Sequence, residues 1–114
     1  MANLLPGTLV DVDLGGPPAT RGREQQKRRP CVVLAHLEKL GLLIIVPVSG
    51  SKPTSTTITT VPLIAGANGL LKDSFALCHQ IRSVSPDRRG RVYGKLSALD
   101  MERVRLVLKQ VLQL

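Results

Sequence analysis

Aromatic side chains are almost missing. Phe75 and Tyr93 are the whole set in 114 residues, and there is no tryptophan. A platform that stacks successive single-stranded bases on aromatic rings therefore has almost nothing to be built from. Cysteine is as scarce. Cys31 and Cys78 each lie in an apolar run, with no CxxC pair and no histidine cluster nearby. That excludes the usual zinc spacings and fits two buried, reduced thiols in a cytoplasmic protein. Long hydrophobic runs are absent too: none approaches the ~20 residues needed to span a bilayer. Residues 1–6 lack the charged start and long apolar stretch of a signal peptide. Acidic residues are few, 8 against 16 Lys and Arg, for a formal net charge of +8. Such a balance asks for a polyanionic partner.

What is present is aliphatic. Hydrophobic residues make up 43% of the chain, so the core rests on Val, Leu and Ile, a mix that favours a sheet with a packed helix. The length suits one domain, residues 1–114. Residues 7–14 (GTLVDVDL) alternate apolar and polar side chains as a strand does. Gly15 to Pro18 then open a segment that stays polar until Arg29, which reads as a surface loop. Further strands are expected over residues 30–37, 42–48, 57–64, 74–84 and 92–96, with a turn at 39–41 and loops at 49–56 and 85–91. In residues 74–84, Phe75, Leu77 and His79 would share one face and Ala76, Cys78 and Gln80 the other. Ser97 fits a helix N-cap, and Met101, Val104, Val107, Leu108, Val111 and Leu112 follow at helical spacing. Strands first and one helix last give a mainly β fold: a strongly bent antiparallel sheet, or small SH3-like barrel, with a C-terminal helix.

Three polar clusters fall at or beside strand ends: Arg23-Glu24-Gln25-Gln26-Lys27-Arg28-Arg29-Pro30, Pro47-Val48-Ser49, and His79-Gln80-Ile81-Arg82. A further stretch, Gly94-Lys95-Leu96-Ser97, precedes the helix. In this order and spacing the four segments resemble the signatures of the MazF/PemK/Kid toxins, over almost the whole chain. The resemblance implies the bent sheet of the CcdB/PemK type and a homodimer. It implies metal-independent, sequence-selective cleavage of single-stranded RNA, chiefly mRNA, with no cofactor. Attack by the 2'-hydroxyl would leave a cyclic phosphate and a free 5'-hydroxyl. It also implies a cognate antitoxin with an acidic, apolar tail and, through that antitoxin, operator DNA.

Cleavage of this kind needs a base for the 2'-hydroxyl, a cation for the charge gathering on phosphorus, and a donor for the departing 5'-oxygen. Arg29 matches the arginine before proline in the family motif, and its planar fork suits two phosphate oxygens. Ser49 matches the hydroxyl residue after the central strand. Glu24 is one candidate base. His79 is the other: it stands where several relatives carry a carboxylate, and a neutral imidazole accepts a proton. Lys27, Arg28, Lys52 and Arg82 are expected to contact phosphates, and Gln25 and Gln80 to read base edges. Two other readings remain open, a non-catalytic basic nucleic-acid-binding module and a toxin of the same fold that poisons a protein target, as the CcdB class does with gyrase.

Overall fold

The computed structural model of the protein describes residues 4–16, 27–51 and 58–114. Among the described residues, seven strands and one α-helix follow in chain order: β1 (Thr8–Asp13), β2 (Arg28–Leu37), β3 (Leu42–Ser49), β4 (Thr60–Leu63), β5 (Ser74–Leu77), β6 (Arg82–Val84), β7 (Arg89–Lys95) and α1 (Ala98–Val111). All pairings are antiparallel, in the order β4-β5-β3-β2-β1-β7, with β6 also paired to β3. This is the mainly β fold with a closing helix that the patterning implies.

Alternation along the central strands sends aliphatic side chains to both faces. One face gathers Leu9, Val32, Val46, Val48, Ala76 and Leu96 beneath Met101, Val104 and Leu108 of α1. The other gathers Val10, Val12, Leu14, Cys31, Val33, Leu43, Ile45 and Val84. A sheet buried on both sides accounts for the nearly unbroken apolar run of β3. Ser97 caps α1, its hydroxyl accepting the Asp100 N–H at 3.1 Å. Val107 and Val111 pack partly against the same core, whereas Leu112 is 46% exposed, so the apolar stripe ends one residue before the expected limit. Glu102, Arg103, Arg105 and Lys109 face solvent as expected.

The expected strand over residues 74–84 is two strands. β5 sets Phe75 against Ser49 and Ala76 against Val48. Continued in that register, His79 would meet Ile45, yet Arg82 stands there. A three-residue 3₁₀ turn, Cys78–Gln80, takes up the difference. Both strands line the same side of β3, so the turn marks where the sheet bends, with Cys78 buried in the core under α1. His79 therefore leaves the face it was expected to share with Phe75 and Leu77. β2 begins two residues before the expected start, at Arg28, and β7 takes in the Arg-rich stretch Arg89–Arg91. Arginines are tolerated there because β7 is an edge strand with a solvated side. Similarly Pro62, which can give no N–H to a ladder, is exposed on the other edge strand, β4.

Candidate active site

The two residues expected to meet a phosphate lie at one end of the β2–β3 ladder. Its outermost registered pair is Cys31 with Pro47, and Arg29 and Ser49 each lie two residues further in the same direction. Arg29 pairs with Val12 of β1, and Arg82 with Ile45 of β3. Directly opposed residues share a face, so Arg29, Ser49 and Arg82 all project on the side of Cys31, Val12 and Ile45. The electrostatics agree. Burial pushes the Cys31 thiol up to about 12, Asp11 adds to the rise, and the nearby cations of Arg82 and Arg29 pull the other way.

Each member has a distinct bonding state. Arg29 is half-buried, and its Nε is buried with no hydrogen-bond partner among the described residues. Leaving a charged donor unsatisfied is costly. Ser49 Oγ accepts the Ser51 N–H at 3.1 Å and donates to the Ser51 carbonyl at 3.3 Å. Arg82 donates to the Leu14 carbonyl at 3.4 Å, and Arg88 to the Asp13 carbonyl at 3.3 Å, so both clamp the end of β1. Lys27 is exposed and holds φ at 66°, uncommon for a side chain with a β-carbon. Its backbone is fixed at both ends, N–H to the Gly15 carbonyl at 2.6 Å and carbonyl to the Leu14 N–H at 2.8 Å.

Arg28 projects to the opposite face. Its Nη1 reaches Asp11 Oδ2 at 3.3 Å, and the Tyr93 hydroxyl donates to Asp11 Oδ1 at 3.2 Å. The Arg91 guanidinium stacks 4.7 Å above the Tyr93 ring. Burial chiefly, then the Asp11 carboxylate, raises the Tyr93 hydroxyl above its usual range. A cavity of about 340 Å³ opens at this end of the sheet, bordered by Arg28 and Arg29, Gly50 and Ser51, Lys72, and Tyr93. His79 is exposed on the 3₁₀ turn beside α1 and does not line this cavity; Gln80 is half-buried on the same turn. Glu24, Gln25 and Lys52 lie outside the described residues, as does most of the polar loop ahead of β2. Among the described residues no group of three or more His, Cys, Asp or Glu could hold a metal ion.

The family of PemK-like, MazF-like toxins of type II toxin–antitoxin systems matches residues 6–112. The chain belongs to this family. It is similar to the crystal structure of MazF from Deinococcus radiodurans, at 26% identity and a TM-score of 0.79, over 96% of each chain. It is similar also to MazF in the MazE–MazF complex of that organism, at 25% identity and a TM-score of 0.72, over 96% of this chain and 94% of that one. A mycobacterial endoribonuclease in complex with its cognate antitoxin shares the fold at 17% identity, with a TM-score of 0.73, over 100% of this chain and 97% of that one.

In this MazF-like chain, sequence reading missed Asp11, Lys72 and Tyr93. Asp11 occupies the polar slot of an alternating strand, where nothing distinguishes it from a solvated residue. Lys72 is separated from Ser49 by β4 and two loops, so only the fold brings it near Gly50. Tyr93 signals itself weakly, as one of two aromatic residues in the chain. No described helix is long and apolar enough to cross a membrane.

Proposed function

We propose that the protein is a toxin that cleaves single-stranded RNA, chiefly mRNA, by transesterification at a site built on Arg29 and Ser49. The observation that carries this reading is the common placement of Arg29 and Ser49, on one face and at one end of the β2–β3 ladder. The chemistry follows from what each group offers. The 2'-oxygen loses its proton to a base and attacks phosphorus, the bond to the 5'-oxygen breaks as that oxygen takes a proton from water, and negative charge accumulates on the non-bridging oxygens in between. The Arg29 guanidinium is permanently charged and only half-buried, so its outer face can meet the charge that gathers on those oxygens. The Ser51 N–H holds Ser49 Oγ in place while its proton turns from the Ser51 carbonyl to the phosphate. Glu24 and His79 are the two candidates for the group that takes the 2'-hydroxyl proton. Lys27, Arg28, Lys52 and Arg82 bind flanking phosphates, and Gln25 and Gln80 read bases. No metal takes part in the step.

The toxin acts in the cytoplasm as a homodimer and is held inactive by a cognate antitoxin whose acidic, apolar tail covers the basic end of the sheet. Leu99 and Leu106, exposed on α1, supply an apolar face for contact between subunits. The test is cleavage of single-stranded RNA in EDTA, with products resolved by end group. Wild type is expected to cut at a short preferred sequence and leave cyclic phosphates, and Arg29→Ala to be slower by ~10²–10³. Equal cutting by the two proteins removes Arg29 from the mechanism. RNA left intact by wild type at every concentration refutes the nuclease reading. In the same assay, replacing the true base flattens the acidic limb of the pH–rate profile, and that separates Glu24→Gln from His79→Gln.

A further inference from the structure

Lys72 comes to the site from a distant part of the chain, and its placement is built rather than incidental. The loop between β4 and β5 is pinned by side-chain bonds: Asp73 Oδ1 accepts the Ala65 N–H at 2.8 Å, and Asn68 bridges the Ile64 carbonyl at 2.9 Å and the Leu70 N–H at 3.0 Å. Ser74, itself buried, donates to the Lys72 carbonyl at 2.9 Å. These bonds fix the backbone from which Lys72 extends. The side chain then lies across Gly50, the residue after Ser49. A β-carbon there would fall on the Lys72 side chain, 2.7 Å from Nζ. The missing β-carbon is what lets the ammonium group lie on the backbone beside Ser49.

Across the same cavity stands a second cation, Arg28, half-exposed and held from behind by Asp11. The lining also includes apolar Pro30, Val48 and Leu70, together with Tyr93. At about 340 Å³ the cavity is near the lower end of roughly 300–1,000 Å³ for small-molecule sites. Two cations, an apolar lining and a tyrosine ring suit a single nucleotide, with its phosphate on the cations and its base against the apolar side chains.

We propose that this cavity is the subsite for the nucleotide flanking the scissile phosphate, with Lys72, seated over Gly50, as the ligand of that nucleotide's phosphate. The inference rests on the ribonuclease reading and adds the residue that fixes the neighbouring unit of substrate. RNA is favoured over an acidic peptide because the cavity runs directly on from Arg29 and Ser51, so one polyanionic chain can thread both.

The experiment measures binding of an uncleavable RNA, with a 2'-deoxy unit at the cut site, as a function of salt, alongside cleavage of the natural RNA. Lys72→Ala is expected to bind about tenfold more weakly, the loss of one charge-assisted hydrogen bond. It should also flatten the slope of log affinity against log salt by about 0.7, one single-strand phosphate contact. Gly50→Ala keeps every charge but displaces the Lys72 side chain, so it should reproduce both effects and add little in a Lys72→Ala background. Removing the flanking nucleotide should cost wild type more affinity than it costs Lys72→Ala. If wild type cuts RNA and Lys72→Ala matches its affinity, salt slope and length dependence, the subsite is refuted and the ribonuclease reading stands. If Lys72→Ala weakens only antitoxin binding, the cavity belongs to the protein partner and the proposal is wrong. If wild type neither binds nor cuts RNA, both readings fall together.

Discussion

Cys31 lies among the cations of the Arg29 face yet is chemically quiet, for reasons that can be separated. Its thiol is fully buried and donates weakly to the Arg29 carbonyl at 3.5 Å. Desolvation dominates, Asp11 adds to it, and Arg82 and Arg29 offset only part, leaving the thiol near 12 instead of 9.0. Cys78, buried under α1, is pushed up to about 11 by desolvation alone. A reactive cysteine needs thiolate, and neither residue supplies it at neutral pH. Native protein at pH 8 is therefore expected to resist iodoacetamide at both positions and to react at both once unfolded in urea. The linkage runs the same way. A folded-state value above the unfolded one means that the stabilisation is complete below pH 9 and is lost as pH rises from 9 towards 12. Between pH 8 and pH 10 the urea midpoint of wild type should fall more than that of Cys31→Ala, which has lost this group. Parallel falls would place the alkaline sensitivity elsewhere, with Tyr93, also raised, as the next group to test.

Among the elements, those set by local patterning were legible in the sequence and those set by long-range closeness were not. The alternation of β1, the aliphatic run of β3 and the Ser97 cap of α1 each carry their own signal within a few residues. So do the motifs that placed Arg29 and Ser49, because both sit at strand ends marked by proline. The break at Cys78–Gln80 leaves no such mark: alternation continues straight through it, and only the pairing with β3 shows that three residues have been taken out of register. The β4–β5 loop is the other illegible element, and glycines on both sides, Gly69 in the loop and Gly94 on β7, let it meet β7. Gly69 has φ +91°, and a β-carbon there would run into the backbone carbonyl of Tyr93. Loop and β7 can touch only at a residue without a side chain. Gly69→Ala should therefore destabilise by more than about 1 kcal/mol, read as a lower urea midpoint, since both the dihedral and the space are wrong. In protein that remains folded it should also weaken RNA binding by displacing Lys72 and Tyr93 together. A variant as stable as wild type and equally tight for RNA would show that the loop repacks freely and is no scaffold for Lys72.

At the scale of the whole molecule, a charge of +8 does not say how many cations a polyanion meets at once. The fold divides them. Arg103 and Arg105 pair loosely with Asp100 and Glu102 on the outer side of α1, across the core from the Arg29 face. Arg82 and Arg88 donate to backbone carbonyls at the end of β1. Among the described residues, Lys27, Arg28, Arg29 and Lys72 lie at the end of the sheet that carries Ser49. If these four, with up to two more from that end, carry the RNA, log affinity should fall against log salt with a slope of about −3 to −4, at about 0.7 per phosphate on a single strand. Binding by the entire basic surface, 16 Lys and Arg together, would give a slope near about −11. The measurement is a salt titration with uncleavable RNA in which Arg103→Glu and Arg105→Glu leave the slope unchanged while Arg28→Ala reduces it. A steep slope that responds to the helix variants would mean that RNA wraps the molecule at large. A flat slope would mean that the positive charge serves some other acidic partner. Only the intermediate value, sensitive at one end of the sheet and not at the other, fits a single strand threaded past Arg29.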